Sequence, residues 1–526
     1  MLAAPPAGHE RLARARTRGS RSAAWSWLGV GLVLLLGVLV KEPEILLPIG
    51  PDQGTYSYVA ERILAGGLPY VDAWDNKPPA TYYAHAAVLA LVPAADRWSR
   101  SCLPGVQQEC GYLALQLADV LWTSLTGLAV FGVARAGGWP RATALLACGI
   151  FLLFANLSQL SREGSTPEKQ LLLPMVLSYL GVLRGGTKWL FVAGVCAGVA
   201  FLFKQTAVSI PLALLGWLAW RGAPWRLTRG LWFAVGWATP LALTAAYFAA
   251  HGALGALWQA SFGYNVTQAG SSALAIPRGA LSGAWHVFAN SSALLWLLGL
   301  GGGFVLLAKR RERAHLLVCW AAADALSLCL GGAKFAQVYF VQLVPSLALL
   351  AALAVAEGWR LSRGLHLARA YAGIVGLAIF LLSNQFQASV VLRAFWERTP
   401  PHASVPLERL VASRFAAGQP LFVWGDNSEV YLYASASSPS RFFHTFPLSH
   451  QYTRGTGYLE RRAELLRVWQ ATPPAAIALD PATLREDPDG SLGLNPASFP
   501  QLQTLLAEQY VPIEDMPGGW QAYRRR

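Results

Sequence analysis

The densest run of groups able to do chemistry lies near the start of the chain. Pro51-Asp52-Gln53-Gly54-Thr55-Tyr56 is followed by Gly67-Leu68-Pro69-Tyr70-Val71-Asp72-Ala73-Trp74-Asp75-Asn76-Lys77-Pro78-Pro79. An aspartate fixed directly after Gly50-Pro51 can accept the proton of an attacking hydroxyl. The same residue can cap a helix over 54–66, and the two roles are compatible. Lys77, Lys204 and Lys334 are the cations of interest, since all three lie at the boundaries of apolar runs, where a lysine can stabilise negative charge that develops in a reaction. Lysines at helix ends also snorkel toward water. That plainer reading weighs equally for Lys204 and Lys334 and less for Lys77, which two prolines fix. Glu168, in Thr166-Pro167-Glu168, is a second carboxylate, or simply a first-turn helix acid favoured by the macrodipole.

The elements that position these groups are membrane helices. Of 526 residues 54% are hydrophobic and 13% charged, about half the charge of an average soluble domain. With 21 Trp and repeated apolar runs of about 15–25 residues, this is the pattern of a polytopic membrane protein. The net charge of +14 does not indicate nucleic acid, because the basic residues sit in short clusters between apolar runs. The first run, Trp25 to Val40, follows the basic arm Arg11, Arg14, Arg16, Arg18 and Arg21. It ends in Lys41-Glu42-Pro43-Glu44 instead of a small-residue cleavage site, so it reads as an uncleaved first helix.

Spanning runs fall at about 25–40, 111–134, 142–157, 169–184, 189–203, 206–220, 230–250, 290–308, 314–331, 336–357 and 370–390. Ala80–Val92 is a twelfth candidate, and the positive-inside rule arbitrates. If 80–92 lies at the interface without crossing, nineteen basic residues of the arm and short loops fall inside. Nearly every acidic residue near the membrane, from Glu42 to Glu168, then falls outside. If it crosses, the basic clusters face outward. The expectation is therefore about eleven spanning helices over residues 1–390, with the N-terminus cytoplasmic. The first outer loop covers about 41–110 and holds two membrane-hugging helices. One is 54–66, with Tyr56, Val59, Ala60 and Ile63 on one face and Glu61 and Arg62 opposite. Cys102 and Cys110 lie outside, where a disulfide can persist, and a free pair is the alternative. Cys148, Cys196, Cys319 and Cys329 fall in apolar runs as packing residues. Asp119 and Asp324 also lie in apolar runs, where carboxylates are functional candidates by default. For Asp119 a structural hydrogen bond to a neighbouring helix weighs as heavily.

An odd helix count places residues 391–526 outside, as a small α/β domain. Leu421-Phe422-Val423-Trp424 and Ala475-Ala476-Ile477-Ala478-Leu479 read as buried strands, residues 457–470 as a helix, and Asp487-Pro488-Asp489-Gly490 as a turn.

Asp52-Gln53-Gly54-Thr55-Tyr56-Ser57-Tyr58, with Asp72-x-x-Asp75-Asn76-Lys77-Pro78-Pro79 and Tyr82-Tyr83, resembles the first-loop signature of GT-C fold glycosyltransferases. The nearest group looks like the protein O-mannosyltransferases (family 39-like) and aminoarabinose transferases. Thr166-Pro167-Glu168, Ala200 to Ala207 and Tyr339 to Pro345 fit that pattern. Val423-Trp424-Gly425-Asp426 with Glu429-Val430-Tyr431 is similar to the soluble domain of many bacterial members. The resemblance implies a hexosyl- or pentosyltransferase of the bacterial inner membrane that uses a polyprenyl-phosphate sugar on the periplasmic side. It implies Asp52 as the catalytic carboxylate and maps the second-loop acid to Glu168. It places Gln53, Tyr56, Asp75, Lys77, Tyr82, Lys204, Lys334 and Tyr339 around the substrate. Where relatives carry His-Tyr this chain has Val338-Tyr339, and where they carry Arg it has Gln116, so those two contacts do not transfer.

No cofactor is demanded. The nine histidines show no paired metal spacing, and a divalent cation shared by Asp52 and Glu168 is left open. A lipid-linked sugar flippase is the main alternative. The chain shows no internal repeat of the kind common in transporters, and its polar residues gather at one face.

Overall fold

A computed structural model describes residues 48–99, 101–102, 108–161, 164–221, 227–269, 275–308, 312–331, 335–364, 366–367, 369–373, 405–450, 457–485 and 493–526, with isolated positions 29, 31, 35, 41 and 45. The first and last expected spans, the turn at 487–490 and Lys334 lie wholly or mostly outside the described residues.

The first outer loop forms α1 (Pro51–Leu64) and α2 (Ala80–Leu89). Ten residues rise only about 15 Å in a helix, so α2 is too short to cross a membrane. The helices that follow are α3 (Cys110–Ala136), α4 (Arg141–Ala155), a short α5 (Pro167–Gln170), α6 (Leu172–Arg184), α7 (Thr187–Phe203), α8 (Ser209–Arg221), α9 (Leu227–Ala250), α10 (Ala293–Ala308), α11 (Glu312–Ser327) and α12 (Val344–Gly364). Three stretches among the described residues are long and apolar enough to cross alone: Cys110–Ala136, Gly230–Ala250 and Gln337–Gly364. The other apolar helices are shorter. Helices α7 and α9 approach closely. Gly194 and Gly198 of α7 face the backbone of Phe233 and Trp237 in α9 with no room for a Cβ. A small-xxx-small stripe of this kind lets two apolar helices touch where lipid offers no hydrophobic drive.

Beyond residue 405 the chain builds a four-stranded sheet in the order β1-β2-β4-β3, from β1 (Leu421–Trp424), β2 (Ala476–Leu479), β3 (Tyr510–Ile513) and β4 (Gln521–Arg525). β1 and β2 run parallel, with Leu421 opposite Ala476, and β4 is antiparallel to both neighbours. Helices α13 (Glu429–Tyr433), α14 (Gly457–Ala471) and α15 (Pro500–Gln509) complete it. The expected strands and the 457–470 helix appear within a residue of their places. β3 and β4 carry too little apolar alternation to stand out.

The hydrophobic core has two parts. One is formed among the membrane helices, from Ala129 to Ala352. The other joins the first outer loop to the sheet domain, with Tyr58, Tyr70 and Trp74 packed into the same cluster as Trp424, Tyr431 and Phe443. This corrects two expectations for α1. The helix begins at Pro51 with Gly50 as N-cap, so Asp52 sits in the first turn and does not cap. Proline suits this first position because its missing N–H would have no helical partner. Residues 53–60 are all buried, so α1 does not lie on the membrane with a wet face. The sheet domain covers the side that amphipathicity assigns to water.

Arg409 ties the domain to the loop, and a disulfide braces the loop at that point. Arg409 donates to Glu109 at 2.7 Å and to the Trp98 carbonyl at 2.9 Å. Beside Glu109, Cys102 and Cys110 form a disulfide, next to a backbone bridge between Ser101 and Glu109. Closing so short a loop is worth about 2–3 kcal/mol. Alkylating the denatured protein without reductant should label four cysteines, and after reduction all six. Six labelled without reductant would exclude the bridge.

Candidate functional site

Four short segments bring the polar groups together. α1 presents Asp52, half-buried, and Gln53 and Tyr56, both buried. The Gln53 side-chain amide donates to the Gly164 carbonyl at 2.8 Å, which joins α1 to the second outer loop.

The loop before α2 is pinned so that Lys77 keeps one place. Tyr70 adopts a positive φ of 70° and donates its hydroxyl to the Lys77 carbonyl at 2.8 Å. Tyr82, fully buried, accepts from the Lys77 backbone N–H at 3.1 Å and donates to Asp75 Oδ2 at 2.7 Å. Asn265 donates to the Asn76 carbonyl at 2.9 Å and accepts from the Asn76 amide at 3.2 Å. The Lys77 ammonium reaches the Asn76 side-chain oxygen at 3.3 Å.

The third and fourth segments supply Glu168, Lys204 and Tyr339. Glu168 lies in the first turn of α5. Helix α7 stops at Lys204, which is extended (φ −155°, ψ 135°), and a tight turn restarts at Gln205. This break lets the lysine project sideways, with its ammonium 2.5 Å from Glu168 Oε1 and 3.6 Å from the centre of the Tyr339 ring. Tyr339 stands on the 3₁₀ segment Gln337–Leu343, longer than the three or four residues such turns usually run.

The electrostatics show that these groups share one site. Burial, and then Asp52, Glu168, Asp75 and Tyr339, push the Tyr56 phenol well above its ordinary pKa. The hydroxyl therefore stays protonated and able to donate. The same four groups surround Lys77. Burial works against its charge, but Tyr339, Asp75, Glu168 and Asp52 together raise its pKa above the usual lysine value. For Glu168, burial favours the neutral acid, while Lys204 and then Lys77 reverse the sign and hold the carboxyl below the usual range. Asp52, Asp75, Glu168, Tyr56, Lys77, Lys204 and Tyr339 are thus neighbours, with Gln53 and Tyr82 fixing their supports. Among the described residues no three His, Cys, Asp or Glu side chains come together as a metal-binding set.

Sequence reasoning gave no place to Lys41 and Lys169. Both are buried against Asp119, at 3.3 and 2.6 Å. Lys41 also donates to Ser161 at 2.9 Å, and Asp119 accepts from the Ser165 N–H at 3.0 Å. Asp119 is therefore a structural anchor of the second outer loop, in line with the hydrogen-bonding alternative. The signal that could have found its partners was present: Lys41 ends the first apolar run and Lys169 follows Glu168 directly. Asp324 is tied to Gln342 at 3.0 Å. Gln342 reaches the Thr206 carbonyl at 3.2 Å as well, which links the segments carrying Tyr339 and Lys204. Gln116 donates to Tyr112 at 2.6 Å.

The family model for dolichyl-phosphate-mannose-protein mannosyltransferases matches residues 108–248. No protein of curated function matches the sequence. Among solved structures, ArnT from Cupriavidus metallidurans bound to undecaprenyl phosphate superposes with a TM-score of 0.55 at 15% identity, covering 95% of this chain and 98% of that one. The oligosaccharyltransferase AglB from Archaeoglobus fulgidus, in complex with an inhibitory peptide and a dolichol-phosphate, gives 0.49 at 13% identity, over 87% of this chain and 70% of that one. The chain thus shares its fold with ArnT along nearly its whole length, and the likeness to the GT-C, O-mannosyltransferase-like group read from the first loop holds.

Proposed function

We propose that the protein is a membrane glycosyltransferase that moves a sugar from a polyprenyl-phosphate donor to an acceptor hydroxyl, on the outer face of a bacterial inner membrane and with inversion. The observation that carries this reading is that one set of groups, Asp52, Asp75, Glu168 and Tyr339, surrounds both Tyr56 and Lys77. A proton acceptor and a fixed cation then flank one reaction centre. The lipid phosphate bound in the ArnT structure fits the same division of labour.

In this reading the acceptor oxygen attacks the anomeric carbon from the side opposite the phosphate. Asp52 takes the proton of that hydroxyl as the new C–O bond forms. The bond to the lipid phosphate breaks, and its electrons stay on the phosphate oxygen. Lys77 and Lys204 stabilise that charge in a site largely shielded from water, where each cation counts for more than in bulk solvent. Glu168 keeps Lys204 oriented before substrate arrives, and the incoming phosphate shares the ammonium with it. Tyr56, held as a neutral phenol, donates to the phosphate or to the sugar ring.

Asp52→Asn should lower transfer by about 100-fold or more, the scale of a lost general base, while undecaprenyl phosphate still binds within twofold of wild type. Retained transfer in a folded Asp52→Asn protein would sink the assignment. Lys77→Ala and Lys204→Ala should each weaken undecaprenyl phosphate binding about tenfold or more, the worth of a charge-assisted hydrogen bond. Ligand-induced thermal shifts in detergent would read this, and unchanged affinity in both variants would remove the lysines from the phosphate. The mass of the envelope glycan missing from a deletion strain would name sugar and acceptor together.

A further inference from the structure

Two stretches singled out in the sequence take no part in that chemistry: Gly54-Thr55 with Tyr58 in the first loop, and Glu429 with Tyr431 in the tail, which Ser428 directly precedes. Some 375 residues apart in the chain, they lie against each other. The Thr55 and Ser428 hydroxyls share a hydrogen bond of 2.9 Å. The Tyr58 ring packs on Tyr431 at 4.8 Å and on Phe443 at 4.3 Å between centroids, and its hydroxyl accepts from the Ser438 N–H at 2.9 Å. A Cβ on Gly54 would stand 2.7 Å from Glu429 Oε2 and 2.9 Å from the Glu429 backbone nitrogen. Glycine weakens a helix interior, so its use at this buried position answers to the close approach of α13.

Helix α1 thereby has two working faces. Asp52, Gln53 and Tyr56 look toward the second outer loop and α2, through the Gln53 bond to Gly164 and the edge contact of Tyr56 with His85 at 5.7 Å. Gly54 lies about 200° around the helix from Asp52, so pressure on the glycine face drives the helix, and Asp52 with it, away from the domain. The same domain grips the loop that carries Lys77. Arg441 forms a two-pronged pair with Glu464, 2.7 Å on each arm, and donates to the Tyr70 carbonyl at 3.1 Å, while its own carbonyl accepts from the Trp74 N–H at 2.8 Å.

We propose that the C-terminal domain is a positioning clamp for the reaction centre. Ser428, Glu429 and Tyr431 set the rotation and height of α1, Arg441 sets the Lys77 loop, and one rigid body fixes the spacing between the Asp52 carboxylate and the Lys77 ammonium. The inference rests on the proposed role of Asp52. Glu429 is a positioning residue: it touches α1 and not the substrate. A shift of about 1 Å at a reacting group is enough to cost about 100-fold in rate.

The test compares Gly54→Ala, Thr55→Ala and Thr55→Ser by two readouts: the rate of glycan formation in membrane vesicles and the Kd for undecaprenyl phosphate alone. Gly54→Ala should lower the rate about 100-fold with the Kd within twofold, since the phosphate-binding lysines stay in place. Thr55→Ala should lower it less, and Thr55→Ser should restore it. A domain that serves only stability would instead lower unfolding temperature, rate and binding together. As a second arm, Thr55→Cys with Ser428→Cys should cross-link under oxidation and remain active, because a clamp does not have to open. A folded Gly54→Ala protein with wild-type rate, or loss of activity on cross-linking, overturns the clamp alone. A wild-type protein that binds undecaprenyl phosphate yet transfers no sugar overturns the transferase reading, and the clamp with it.

Discussion

Between Gln53 and Ala60 helix α1 has no face left for water, and the segments around it are arranged to allow this. A fourteen-residue helix with Gln53 through Ala60 all buried has to be packed from both sides. The second outer loop and α2 supply one wall and the sheet domain supplies the other. The first loop and the domain consequently share a single hydrophobic cluster, although they lie at opposite ends of the chain. Burying each large side chain there gains about 1.5–3 kcal/mol, which holds the domain on the loop without a continuous linker having to do so.

The polar groups obey the same constraint in another form. Charges taken out of water are costly unless paired in good geometry, and around the second outer loop the buried charges fall into two separate sets. Asp119 is matched with Lys41 and Lys169, and Glu168 with Lys204. Glu168 and Lys169 are sequence neighbours, yet about 100° of helical rotation sends them into different sets. The first set anchors the loop, through the Ser165 N–H on Asp119. The second faces Lys77 and Tyr56. The short helix α5 is the partition between the two sets.

Irregular backbone aims three of the candidate side chains. Lys204 projects because α7 ends there in extended backbone. Lys77 is held by two tyrosine hydroxyls on its peptide group, and Tyr339 rides a 3₁₀ segment joined to the Lys204 break through Gln342. Irregular backbone at membrane depth survives only where protein buries it, and here side-chain amides and hydroxyls satisfy it.

The sequence by itself determined the membrane class, most helix positions to within a few residues, the two parallel strands and the segments from which the site is drawn. These are legible because apolar period, proline, glycine and charge clusters act locally. It also singled out Asp52, Lys77, Glu168 and Lys204, since such residues are rare in an apolar chain. Only the tertiary structure decided that Asp52 lies in the first turn of α1 and does not cap it, that Asp119 is consumed by two buried lysines, and that α1 is enclosed by the distant domain. Lys334 falls outside the described residues. Amphipathicity sent Glu61 and Arg62 to water, and both are half-buried, Glu61 against Arg97 and Trp98; a local pattern equally cannot see that Thr55 and Tyr58 meet Ser428 and Tyr431, some 375 residues away. Contacts of that separation depend on how whole bodies pack, and nothing in a local window encodes them.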